Sequence, residues 1–103
     1  MQTQATTPNL IKLRSSQPEF LKAMIQTDLN HRLQDLENGL QKTQARLKQF
    51  ETQYQWSTEQ FIQLFTNDQL QHSVDFDEWL GEAWMLEKLQ QKIALIQEVE
   101  FVD

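Results

Sequence analysis

The chain has 103 residues, which is the size of one small domain. It contains no cysteine, so a disulfide framework, a thiolate zinc site and a cysteine nucleophile are excluded. Two glycines and two prolines are too few for the many turns of an all-β protein. No apolar run approaches the roughly 18 residues of a membrane span, and the opening residues do not resemble a signal peptide. We therefore expect an all-α protein of the cytoplasm.

The net charge of −6 is concentrated in the second half of the chain. Residues 1–56 carry seven basic and five acidic groups, whereas residues 57–103 carry ten acidic groups and only two lysines. An acidic region repels nucleic acid phosphates and attracts basic surfaces, but acidic charge also keeps a protein in solution. Charge alone therefore leaves two interpretations open, a solvated face and a binding surface for a basic partner.

Residues 1–17 are rich in Gln, Thr and Ser, which predicts a flexible N-terminal tail. Residues 18–103 are then a single helical domain. Within the tail, residues 10–14 read LIKLR. This segment is compatible with a short strand, such as the one that begins a ribbon–helix–helix DNA-binding arm, with a docking segment, or with a loose arm.

A long helix is predicted over residues 19–54, because apolar side chains recur there at alternating steps of three and four. The seam consists of Leu29, Leu33, Leu36, Leu40, Leu47, Phe50 and Tyr54, with Thr43 as its one polar position. Such a repeat is typical of a coiled coil, and we expect these seven residues to form an oligomer interface, for instance in a homodimer. The helix would be about 54 Å long, so its seam needs either a second chain or a folded-back helix. Gly39 marks a bend or a close approach.

A second, short helix is predicted over residues 58–66. Ser57 is a suitable N-cap, Gln60 can close a capping box, and Trp56 and Phe61 stand at hydrophobic-staple positions. The helix should end near residues 66–68, where short polar side chains compete for backbone groups.

A C-terminal amphipathic helix is predicted over residues 76–98. Asp75 is the expected N-cap, Glu78 stands at N3, and Val74 can staple Trp79. Residues 99–103 alternate apolar and acidic side chains, which is compatible with a short strand or a free tail.

Catalytic and metal-binding patterns are weak in this sequence. Glycine-rich phosphate loops and an HExxH motif are absent, and the two histidines lie on different predicted elements. His72 with Asp75 and Asp77 is a poor metal set, because helix capping already explains the aspartates. We therefore expect no enzyme, no metal and no cofactor. A nucleic-acid partner is also not favoured, because the aromatic residues lie in the acidic half.

Aromatic residues are concentrated in the second half of the chain, where nine of the ten lie between Phe50 and Phe101. Tryptophan is enriched at binding hot spots, but it is equally at home in a small core. Two short helices offer little volume, so the sequence leaves open which tryptophans are internal.

Three motifs carry a resemblance to a known family: Phe50-Glu51 with Tyr54, Ser57 with Phe61, and the run from Asp75 to Trp79. Over about residues 29–96 the chain resembles small all-α proteins of bacteria and archaea that are encoded beside small ribonuclease-like toxins. The resemblance implies an antitoxin-like, non-catalytic partner.

In that reading the long helix joins two copies, and the acidic aromatic half covers the basic, RNA-facing surface of a toxin. The expected apolar anchors are Phe76, Trp79, Trp84 and Phe101. The carboxylates expected to pair with Lys and Arg side chains of the partner are Asp77, Glu82 and Glu87. The alternatives are a coiled-coil adaptor or assembly protein without a toxin partner, and a DNA-binding regulator that uses residues 10–14.

Overall fold

The computed structural model describes residues 9–102, and over them the chain is all-helical. Helix α1 spans Pro18–Tyr54, α2 spans Thr58–Thr66 and α3 spans Val74–Gln97. The predicted order of a long helix, a short helix and a C-terminal helix is confirmed. Residues 1–8 of the predicted tail lie outside the described residues. Among the helices described, none has the length and apolar character that crossing a membrane requires.

Helix α3 folds back along α1 and runs antiparallel to it. Tyr54, at the end of α1, packs on Phe76 near the start of α3, with ring centroids 5.1 Å apart. Farther along, a Cβ added at Gly39 would lie 3.7 Å from the side chain of Leu89. Gly39 therefore marks a close approach of the two helices, and α1 continues through it as one unbroken helix.

The two long helices differ in length, so part of α1 extends beyond α3. With 37 and 24 residues, they are about 55 and 36 Å long at 1.5 Å per residue. About 20 Å at the start of α1 therefore lacks a facing α3. In this overhang Leu21, Ile25 and Leu29 are half-buried, whereas Phe20 and Met24 are exposed.

The predicted oligomer seam faces α3 of the same chain over most of its length. Three of its residues are at most 7% exposed, namely Leu36, Leu47 and Phe50. The other four are half-buried, namely Leu29, Leu33, Leu40 and Tyr54. The assignment of these residues to an interchain interface is therefore corrected where α3 lies against α1. A folded-back helix was one of the two predicted alternatives for packing on the seam. It supplies the apolar surface that a second chain would otherwise provide.

The start of α2 follows its local sequence. The Ser57 hydroxyl accepts a hydrogen bond from the Gln60 backbone N–H at 3.1 Å. The Gln60 side-chain oxygen accepts one from the Ser57 backbone N–H at 3.0 Å. This is the predicted capping box, and it fixes the position at which the chain leaves α1 and re-enters a helix.

Helix α3 begins two residues earlier than predicted. Ser73 is the N-cap, and its hydroxyl accepts a hydrogen bond from the Phe76 backbone N–H at 3.1 Å. Asp75 is not the cap, because its carboxylate accepts a hydrogen bond from the Tyr54 hydroxyl at 2.5 Å. Val74 is the first helical residue and is 74% exposed. It therefore does not staple Trp79, which is fully buried.

The segments that flank the helices form neither helix nor strand. This holds for residues 10–14, whose side chains are exposed, and for residues 99–102. The strand alternatives for these two segments are therefore wrong in this structure.

Gln55 terminates α1 in the left-handed region, with φ 58° and ψ 35°. A side chain disfavours this conformation and glycine does not. Replacing Gln55 with glycine is expected to raise the free energy of unfolding by about 0.5–1 kcal/mol, as measured by urea denaturation. The gain in stability is limited because the substitution removes the Gln55 side-chain amide, which donates a hydrogen bond to the Thr52 carbonyl at 2.7 Å.

The matched control is Gln41→Gly, at an exposed position inside α1. Its backbone is helical, so glycine there should lower stability by about 0.5–1 kcal/mol. If both substitutions destabilise the chain, the left-handed cap at Gln55 is not a source of strain.

Candidate functional site

Trp79 lies at the centre of a stacked aromatic cluster inside the chain. Its ring lies 4.1 Å from that of Phe61 and 5.4 Å from that of Phe50, centroid to centroid, and both pairs are stacked. Its indole N–H donates a hydrogen bond to the Thr58 hydroxyl at 3.0 Å. With an exposed fraction of 0%, Trp79 is a core residue. Its predicted role as a partner anchor is therefore wrong, since no partner can reach it in this fold.

Phe76 extends the same cluster toward its rim. It is half-buried, and its ring packs on those of Tyr54 and Phe61 at 5.1 and 5.4 Å. Trp56 covers it from the α1–α2 connection at 6.2 Å. Most of this side chain is therefore used in holding the three helices together, and little of it remains for a partner.

The cluster has a polar rim that ties the end of α1 to the start of α3. The Tyr54 hydroxyl donates to Asp75, and the Gln53 amide donates to the same carboxylate at 3.3 Å. The pKa of the Tyr54 phenol is raised by its hydrogen bond to Asp75, by loss of contact with water and by the negative charge of Asp75. The phenol therefore keeps its proton, and with it this contact, throughout the neutral pH range.

Arg46 closes another side of the cluster. Its guanidinium lies 4.4 Å from the centroid of the Phe50 ring and donates to the Glu78 carboxylate at 2.7 Å. Both charged side chains are about half exposed, so the ion pair contributes little stability by itself. It does fix the charge of Glu78 to α1, which leaves this carboxylate less free to meet a partner.

The interior of the described chain is built mainly from apolar and aromatic side chains. Residues 9–102 include no group of three or more His, Asp or Glu side chains placed to hold a metal ion. His72 packs its ring on that of Phe65, with centroids 4.9 Å apart. Every buried side-chain nitrogen or oxygen in this part of the chain has a hydrogen-bond partner. The candidate site is accordingly a surface.

The first exposed surface is the outer α3 face, which lies on the side of α3 opposite Trp79. It is defined by Val74, Asp77, Gly81, Trp84, Met85 and Lys88. Its large apolar side chains are well exposed, at 74% for Val74, 60% for Trp84 and 48% for Met85. The first three turns of α3 are therefore apolar on both sides, a pattern typical of a helix that is covered on both sides.

The second exposed surface is the acidic end, defined as residues 95–102. Four of its apolar side chains are exposed, at 62% for Leu95, 47% for Val99, 40% for Phe101 and 54% for Val102, whereas Ile96 is half-buried. Glu98 and Glu100 lie between them and are exposed as well. Glu87 lies eleven residues before Glu98, about three helical turns, and so on the same side of the chain.

The structure does not bring the predicted partner-binding residues together on one surface. Trp84 and Asp77 lie on the outer α3 face, and Phe101 with Glu87 belongs to the acidic end and its approach. Glu82 is half-buried, and Phe76 and Trp79 are in the aromatic cluster.

Several exposed residues of the two surfaces were not predicted as site residues, namely Val74, Gly81, Met85, Lys88, Leu95, Glu98, Val99, Glu100 and Val102. One signal was present in the sequence. Apolar side chains occur at helical spacing on two different sides of the same helix, and only one of those sides can face α1.

Comparison with known proteins gives no further guide to the site, since no family model, curated protein or solved structure matches the chain.

Proposed function

We propose that this chain is a non-catalytic binding protein whose acidic end covers a basic surface of a small ribonuclease-like toxin, in the manner of an antitoxin, in the cytoplasm. The observation that carries the proposal is the cluster of exposed apolar side chains at Leu95, Val99, Phe101 and Val102 around the exposed carboxylates of Glu98 and Glu100. The family resemblance of residues 29–96 supports the same role. A basic RNA-binding surface is the natural counterpart of such a segment, because its lysines and arginines meet the carboxylates.

The two kinds of side chain have different tasks in this proposal. Apolar side chains such as Leu95 and Phe101 lose water on binding and provide most of the affinity. Glu98 and Glu100, with Glu87 on the same side, attract a basic partner and raise the rate of encounter. The tyrosine and the tryptophans Trp56 and Trp79 pack in or against the core cluster and take no part in this surface.

The direct test is to co-express the chain with the product of the adjacent gene and to measure their affinity after purification. Substituting both Leu95 and Phe101 with alanine is expected to weaken the complex about 10- to 100-fold, because each removes an exposed apolar anchor. The matched control is the double variant Leu10→Ala and Ile11→Ala. These two side chains are 70% and 87% exposed but lie in the N-terminal segment, so the affinity should not change.

Two results would contradict the proposal. The first is that the two unmodified proteins fail to associate at micromolar concentration. The second is that they associate, but the control pair weakens the complex as much as the pair in the acidic end.

A second candidate function is favoured by a different observation. The outer α3 face provides an apolar surface that has no basic or acidic character overall, which suits an adaptor or assembly protein without a toxin partner. Expression of the neighbouring gene alone distinguishes the two functions, because only a toxin arrests growth.

A further inference from the structure

Gly81 lies at the centre of the outer α3 face, and no neighbouring group among residues 9–102 explains a glycine at this position. A glycine in a helix interior lowers stability relative to alanine, so its presence calls for a close approach of some other group. At Gly39 that group is Leu89, 3.7 Å from the position of an added Cβ. At Gly81 nothing in the described chain lies within 4 Å of that position. Among residues 9–102, therefore, no group uses the space that Gly81 leaves open, and a group of a second molecule can enter it.

A side chain that fits such a depression lies one turn away on the same helix. Trp84 follows Gly81 by three residues, is 60% exposed, and stands beside the exposed Met85. An indole of one helix packed over a glycine of another is the arrangement that close helix contacts use, with a large side chain opposite a small one. The outer α3 face thus carries both a projecting side chain, Trp84, and a depression that can receive one, at Gly81.

The charges on the same face are arranged in a matching way. Asp77 and Lys88 are eleven residues apart, which is about three turns, so both project from the same side of α3. Neither side chain makes a hydrogen bond or an ion pair with any residue between 9 and 102. The midpoint between Asp77 and Lys88 lies between Glu82 and Ala83, and the midpoint between Gly81 and Trp84 lies at the same place.

We propose that a second copy of this chain docks on the outer α3 face, with the two α3 helices antiparallel about a twofold axis between Glu82 and Ala83. In this arrangement Asp77 of each copy lies level with Lys88 of the other, and Trp84 of each copy covers Gly81 of the other. Every contact occurs twice, as a self-complementary twofold interface requires. The acidic end stays outside the interface and open to a different partner.

The size of the surface sets the expected strength of the dimer. One helix pair with few large apolar side chains buries less than a standard interface, and interfaces of that size belong to weak complexes. We therefore expect a dimer with a dissociation constant in the micromolar range, which is best measured by sedimentation of the full chain over a wide range of concentration.

Charge reversal gives the sharpest test, because it predicts a rescue. Asp77→Lys alone and Lys88→Asp alone each place like charges opposite one another twice, and each should weaken the dimer at least about tenfold. The double variant Asp77→Lys with Lys88→Asp should restore it, and an equimolar mixture of the two single variants should associate. Asp35→Lys, at an exposed position of α1, is the control for net charge and should leave the dimer unchanged.

Gly81→Ala provides a second, independent measurement. In the isolated chain it should raise the melting temperature by several degrees, since alanine favours the helix and nothing lies in its way. In the dimer it should raise the dissociation constant, since the methyl group occupies the place of the indole. A monomeric unmodified chain at 200 micromolar concentration would overturn the proposal, as would a dimer insensitive to charge reversal, a failed rescue or a Gly81→Ala variant that dimerises as well as the parent.

Discussion

Replacing Trp79 with alanine is expected to remove a large part of the free energy of unfolding, about 3–5 kcal/mol. The indole is fully buried between the rings of Phe50 and Phe61, and removing a buried Trp or Phe side chain costs about 3–5 kcal/mol. A chain of this size has a free energy of unfolding of about 5–15 kcal/mol, so the loss is a large part of the total. Urea denaturation followed by circular dichroism measures it.

Trp84→Ala is the matched control for this prediction. It makes the same chemical change in the same helix, but its side chain is 60% exposed. Its free energy of unfolding should therefore stay within about 0.5 kcal/mol of the parent value. Equal losses for the two variants would mean that the inner and outer sides of α3 are not as the structure has them.

A charged residue at Leu47 is expected to have a comparably large effect. The side chain is 6% exposed and belongs to the core cluster. A carboxylate placed there by Leu47→Glu is desolvated and finds no partner in the surrounding apolar side chains, which costs several kcal/mol. Cooperative unfolding should be lost at every protein concentration, whereas Lys48→Glu, one residue farther on the exposed side, should unfold normally.

The dependence of Leu47→Glu unfolding on protein concentration distinguishes the two elements that could pack on the seam, a second chain and the folded-back helix α3. If Leu47 faced a second chain, Leu47→Glu would convert an oligomer into a folded monomer with a smaller sedimentation coefficient. That outcome would contradict the antiparallel packing of α1 and α3. Loss of folded structure at every protein concentration, with no folded monomer observed, agrees with the antiparallel packing.

Helix existence and order were predictable because they depend on local patterns. The capping box of Ser57 and Gln60 is complete within four residues, and it placed the start of α2 correctly. The start of α3 was misplaced because Ser73 and Asp75 are both good caps. The Asp75 carboxylate is bound by the Tyr54 hydroxyl of another helix, and a rule based on neighbouring residues does not include such a contact.

The sequence predicts that a helix has an apolar face more reliably than it predicts which element packs against that face. The repeat from Leu29 to Tyr54 indicates that a face is covered, but the same repeat serves a second chain and a folded-back helix. Within α3 the sequence shows apolar residues on two sides, and periodicity alone cannot say which side faces α1. The sequence places Trp79 on the longer apolar face and Trp84 to its side, but it does not say which of the two is core and which is surface.

The difference in length between α1 and α3 divides the molecule into a stable end and a labile end. Around Trp79, opening requires the stacked rings of three helices to separate. The first turns of α1 have no facing helix, and isolated helical segments of about a dozen residues are marginal in water. Those turns can fray and re-form while the aromatic cluster stays closed. Within the helices, proteolytic cleavage of the native chain should accordingly start among residues 18–30 and leave α2, α3 and the rest of α1 intact.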